Sequence, residues 1–222
     1  MPATSHRLFP LFRKDRQVCT HNPPCDPFSV AQSSLKRPAY QCERLRSMIA
    51  SLMMYARPEL SVPNGRYWAR IRSELAQRGI EAPETLANDQ DMMEVWTAPD
   101  LVLSQTCGMP YRLWLHDRVQ LVGTPDFGLP ECKPGYYNSA IVVRADDKRA
   151  VLAEYADARF AFNQTHSQSG FAAAFAQAKA ADFWFSNRIQ SHGHLASARM
   201  VAEGKADIAA IDGVTWRLIQ KY

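Results

Sequence analysis

The chain predicts an α/β fold with two lobes, each a mainly parallel sheet flanked by helices. Short apolar runs without alternation, such as Met48-Ile49-Ala50-Ser51-Leu52-Met53-Met54, suit strands covered on both faces. Segments with helical spacing lie between such runs, so strand and helix alternate along the chain. The cycle occupies residues 47–136 as a first lobe and 137–213 as a second, and 214–222 begins a return to the first. A stretch dense in Gly, Pro and Tyr at 124–138 marks the crossing.

Order is expected from Met48, and the first strand stops at Tyr55-Ala56-Arg57-Pro58-Glu59. Pro63 or Asn64 opens a helix to about Arg78, with Trp68, Ile71 and Leu75 on one face and Gly79 as the stop. Ile80 to Pro83 reads as a short strand and Asp89 to Trp96 as a short helix. Asp100 to Gln105 is a strand, and the turn from Thr106 to Pro110 launches a helix through His116. Val119 to Gly123 is the next strand. In the second cycle, Ser139 to Arg144 is a strand and Lys148 to Tyr155 a short helix. Arg159 to Asn163 alternates as a strand, and an Ala/Phe-rich helix runs from Phe171 to Ala178. The polar loop from Gln190 to His194 leads into a helix from Leu195 to Glu203, closed by Gly204. Ala206 to Ile211 is a strand ending at Asp212, and a helix from Val214 carries Trp216 and Leu218.

Charge is unevenly spread. Residues 1–46 hold eight Lys/Arg against three Asp/Glu, whereas 47–222 hold eighteen against nineteen. The body is therefore neutral and offers no broad cationic surface for nucleic acid. The head, rich in Pro, Ser and Cys, reads as disordered or loosely attached. No apolar run approaches the length of a membrane span, and no apolar stretch follows the basic start as a secretory signal would require. Cys19, Cys25, Cys42, Cys107 and Cys132 have irregular spacing and no C-x-x-C pair, which points to ordinary thiols or a single disulfide more than to a zinc site. No cofactor is expected.

The chemistry concentrates between Asn163 and Phe171, where a strand gives way to a helix through Gln164-Thr165-His166-Ser167-Gln168-Ser169-Gly170. A helix N-terminus carries unpaired N–H groups and a partial positive charge. Hydroxyls at Ser167 and Ser169 add donors, and Gly170 lets a ligand approach the backbone. Simple N-capping by Thr165 or Ser167 explains the same residues without a ligand. Cys107 invites a nucleophile reading, but no Cys-His-Asn arrangement can be traced. His192 and His194 lie in a polar loop, Asp212-Gly213 also reads as a plain turn, and Phe183, Trp184 and Phe185 read as packing residues.

The series Asp100-Leu101-Val102-Leu103-Ser104-Gln105-Thr106-Cys107-Gly108, Val122-Gly123-Thr124-Pro125-Asp126, Ser167-Gln168-Ser169-Gly170 and Ser197 to Asp207 leading to Ala210-Ile211-Asp212 occurs in order. Together these motifs closely resemble the phosphonate/phosphate substrate-binding proteins of ABC importers, a branch of the type 2 periplasmic binding proteins, over roughly residues 48–222. The resemblance implies a two-lobed clamshell that traps a small anionic ligand and hands it to an ABC permease, without enzymatic activity. It implies the oxyanion cradle at Ser167, Gln168 and Ser169, a cleft histidine at His194, an acidic residue at Asp212, an aromatic at Tyr55, and Thr106 and Tyr111 in a second cleft loop. A protonated histidine would add a charge-assisted bond. Asp212 would suit an ammonium group or a protonated phosphate, and Tyr55 the apolar part of the ligand.

Three departures bear on the resemblance. The chain shows no export signal, so a periplasmic location is expected by analogy alone and a cytoplasmic one stays open. The return segment that relatives carry after the last helix is not apparent, and Gln168 stands where many relatives have Thr. A ligand-sensing regulatory module with the same fold, or a thiamine-precursor-related binding protein or enzyme, are the alternatives. The sequence leaves the ligand and the oligomeric state open.

Overall fold

A computed structural model describes the backbone of residues 6–13 and both backbone and side chains of residues 48–130 and 132–222. It is a mixed α/β structure that divides into two compact units. One unit comprises residues 1–11, 105–117 and 121–222, and the other residues 12–104 and 118–120.

In the second unit, β2 (Ile49–Ser51) pairs in parallel with β3 (Leu101–Cys107) through Ala50↔Leu103 and Ser51↔Ser104. Helix α1 (Ser61–Ala76) buries Trp68 against Met48, Ala50 and Leu52 and brings Ile71 and Leu75 to the same cluster. This is the predicted apolar face. The chain leaves the helix through Gly79, whose φ of 70° suits a residue without a side chain. The strand expected at Ile80 to Pro83 does not form. That segment instead follows the helix, and the Pro83 carbonyl accepts a hydrogen bond from Trp68 Nε1 at 3.1 Å. Helix α2 (Met92–Thr97) starts at Asp91, whose carboxylate accepts from the amides of Met93 and Glu94.

The sequence places no element before Met48, yet residues His6–Arg13 form a strand, β1. It lies between β3 and β4 (Val119–Leu121) in the sheet order β2-β3-β1-β4, and β5 (Tyr136–Tyr137) pairs with it antiparallel. Cys19, Cys25 and Cys42 lie outside the described residues.

The first unit carries a sheet with the order β6-β9-β7-β8, formed by β6 (Ser139–Val143), β7 (Arg159–Phe162), β8 (Asn187–Gln190) and β9 (Ile208–Asp212). Strands β9, β7 and β8 run parallel, and β6 joins β9 antiparallel. All of β9 is buried. Strand β8 is mostly exposed and lacks an apolar pattern, so nothing in its sequence marks it as a strand, and its last residue, Gln190, reads as part of the polar loop.

Helices cover both faces of this sheet. A π turn (Gln168–Ala172) leads into α4 (Ala173–Ala180), so named because Gly108–Pro110 forms a single helical turn, α3. Ala174 and Ala178 are small enough to let α4 settle on Phe160, Phe162 and Phe185, and Phe160 stacks on Phe185 at 4.4 Å. Phe183 and Trp184 pack beside them as expected. On the other face, α5 (His194–Ala202) and α6 (Gly213–Lys221) bring Val201, Trp216 and Ile219 to Val142, Ala209 and Ile211. Gly204, with φ 71°, ends the turn after α5. Among the described residues no helix is long and apolar enough to cross a membrane.

Candidate functional site

Three neighbouring parallel strands deliver their carboxyl ends to one place, the usual location of a ligand on such a sheet. Strand β7 leads to the π turn and Ser169. Strand β8 leads through Ser191 to His194, and β9 ends in Asp212. The intervening loop is tied down locally, because Ser191 N donates to the Phe162 carbonyl at 2.8 Å and His192 N to that of Asn163 at 3.0 Å.

Ser167, Gln168 and Ser169 are all buried. Ser167 is a cap, its hydroxyl accepting from Gly170 N at 3.0 Å. The turn it starts is one residue wider than an α turn, since the Ala172 amide reaches the Ser167 carbonyl at 3.0 Å. Gln168 Oε1 accepts from Arg112 at 2.6 Å. Ser169 lies at the centre of the group. Its hydroxyl is 3.1 Å from His194 Nε2, the Tyr137 phenol lies close by, and its carbonyl accepts from Ser139 Oγ at 3.0 Å.

Nδ1 of His194 faces the Asp212 amide at 3.4 Å. The roles of the two ring nitrogens follow the tautomer, since Nε2 also lies beside the Asn163 side-chain amide nitrogen and the Ala210 carbonyl accepts from the ring. His194 as a residue is half-buried, and protein crowds its imidazole. That burial lowers the pKa to about 4, and the Ala210 carbonyl acts in the opposite direction. The imidazole is therefore neutral at pH 7.

Asp212 is buried and caps α6 by accepting from Thr215 N at 2.8 Å, so the plain-turn reading of Asp212-Gly213 holds at least as a local role. Its charge also raises the pKa values of Tyr137 and Cys107, although burial is the first cause in both. Cys107 is pushed up to about 11 and stays a thiol at neutral pH, unsuited to nucleophilic attack.

The other expected residues are more scattered. Thr106 is completely buried on β3, its hydroxyl directed to the Cys107 carbonyl at 3.4 Å. Tyr111 starts a π turn (Tyr111–Leu115) that also carries Arg112. Tyr55 is buried at the end of a 3-10 turn (Met53–Tyr55) in the other unit. His192 is exposed, with φ 65°. Sequence reasoning missed Arg112, Tyr137, Ser139 and Asn163. Arg112 is adjacent to Tyr111 but belongs to no motif, and Tyr137 sits in a stretch read only as a crossing. Asn163 Nδ2 lies 3.4 Å from His194 Nε2, and Gly170 is required beside it because a Cβ there would overlap Asn163 Oδ1 and come within 3.0 Å of His194 Cε1.

A buried serine on a widened helix start, beside a neutral histidine and a nearby arginine, is an arrangement of donors suited to an oxyanion. The chain matches the family model described as the phosphonate, periplasmic substrate-binding protein of ABC transporters, over residues 103–222, a little more than half its length. It belongs to that family of phosphonate substrate-binding proteins. No curated protein matches it.

Proposed function

We propose that this chain is the solute-binding component of an ABC importer and holds a phosphonate, phosphate or phosphate ester at the Ser169 cluster. The observation that carries the reading is Ser169 itself. It is buried in the first turn of the helical segment after β7, and it meets His194, with Tyr137 close by, where three parallel strands end. Ser169 would donate to a phosphoryl oxygen, with the amides of the widened turn beside it. Gln168 and Arg112 would complete the anion side. Asp212 and Tyr137 would face the substituent, and an ammonium group there would be favoured by the Asp212 charge. Ser167 would act by holding the turn. The clamshell expected from the family, with Tyr55, Thr106 and Tyr111 contributing, is part of the same proposal, as are hand-over to a permease and a periplasmic location.

Titration calorimetry with phosphate, methylphosphonate and 2-aminoethylphosphonate tests the reading. Saturable binding of at least one is expected. A folded protein that binds none of them overturns it.

A further inference from the structure

We propose that Arg112 is the fixed positive charge of the oxyanion site, and that it tunes the site to doubly charged oxyanions over singly charged ones of the same shape. The inference rests on the function proposed above. The guanidinium is held at the site by a neutral partner, donating from one nitrogen to Gln168 Oε1 at 2.6 Å. Gln168 directly precedes Ser169 on the π turn, and the Arg112 charge also reaches the Tyr137 phenol near Ser169. Arg57, Arg149 and Arg159 each pair with a carboxylate, but among the described residues no carboxylate forms an ion pair with Arg112. Asp212 is the opposite charge felt together with Arg112 at Tyr137, and it accepts from the Thr215 amide.

The remaining groups cannot replace it. His194 is neutral above about pH 4 in this state, and Asp212 contributes the wrong sign. An amide oxygen is a weaker acceptor for guanidinium than a phosphoryl oxygen bearing charge, so a bound oxyanion would take the guanidinium from Gln168. The exchange gains most when the ligand carries two charges. Methylphosphonate, once doubly ionised, and methanesulfonate, singly charged, share a tetrahedral shape and differ in this respect.

The test is calorimetry of the full chain with both anions, at a pH where the phosphonate is doubly ionised. Wild type is expected to prefer methylphosphonate. Arg112→Gln is expected to weaken methylphosphonate binding by roughly tenfold or more and to weaken methanesulfonate binding much less. Arg112→Lys, which keeps the charge without the planar fork, should recover part of the preference. If Arg112→Gln leaves both affinities unchanged, or lowers both equally, the role of Arg112 is overturned while anion binding stands. If wild type binds neither these anions nor phosphate, the function reading fails and this inference with it.

Discussion

At the residue scale, the side chains around Ser169 trade solubility of charge for shape. Ser169→Ala removes the hydroxyl that meets His194 and should weaken oxyanion binding by about 1–3 kcal/mol, because a ligand oxygen loses its donor. An unchanged affinity by calorimetry would reduce the serine to a packing residue. His194 carries a separate, pH-dependent signature. Its folded pKa of about 4 lies below the ordinary 6.5, so the unfolded chain takes up a proton that the folded chain refuses. Stability should therefore fall as pH drops from about 6.5 to 4, and urea unfolding of His194→Gln should lack that component. Asp207 acts lower on the scale. Its pKa of about 2, held down first by Arg159, gives stability that is lost only as pH falls through its ordinary 3.8. The two windows hardly overlap. Sequence alone could identify Ser169 and His194 as residues of interest, because a hydroxyl-rich helix start and a loop histidine are local patterns. It could not show that burial would discharge the histidine, since the crowding comes from β7, β9 and the π turn together.

At the scale of elements, two helix starts are set by glycines that leave no room for a side chain. Gly213 begins α6 against β6, where a Cβ would overlap Asn138 Oδ1 and stand 2.9 Å from the Asn138 carbonyl. The side chain could rotate away, but the carbonyl is fixed by its bond from Gly213 N at 2.9 Å. Gly213→Ala should then cost about 1–3 kcal/mol in chemical denaturation. Gly170→Ala meets side chains only, so its cost should be smaller, and Asn163→Ala should relieve part of it. Equal losses at both positions would contradict this ordering. The elements were largely legible. Strands β2, β3, β6 and β9 announce themselves as apolar runs, β7 by its alternation, and Trp68, Ile71 and Leu75 mark one face of α1. The failures have a common cause. Strand β8 pairs through its backbone while most of its side chains face solvent, and Ile80 to Pro83 owes its apolar Ala82 and Pro83 to their place beside α1, unpaired with any strand among the described residues.

At the scale of the whole molecule, a ligand that binds only the folded chain raises stability by mass action. At a concentration one hundred times Kd the gain is about 2.7 kcal/mol, or a rise of roughly 5–10 °C in Tm for a chain of this size. Scanning calorimetry with and without methylphosphonate measures it, and an unmoved Tm at saturation would contradict specific binding. The sequence reading treated residues 1–46 as a single head, and pairing of β1 with distant strands carries no local signal that could have divided it. Removing residues 1–13 should lower the Tm, because it takes the strand between β3 and β4 out of the sheet. That placement also sets an order of events during synthesis. Residues 6–13 leave the ribosome long before their partners at 101–107, 119–121 and 136–137 exist. At about 5–20 residues per second, the strand waits several seconds for a place in its sheet. Residues 6–13 thus cannot settle before Tyr137 is made, and until then their unpaired backbone is open to capture by a chaperone or by another nascent chain.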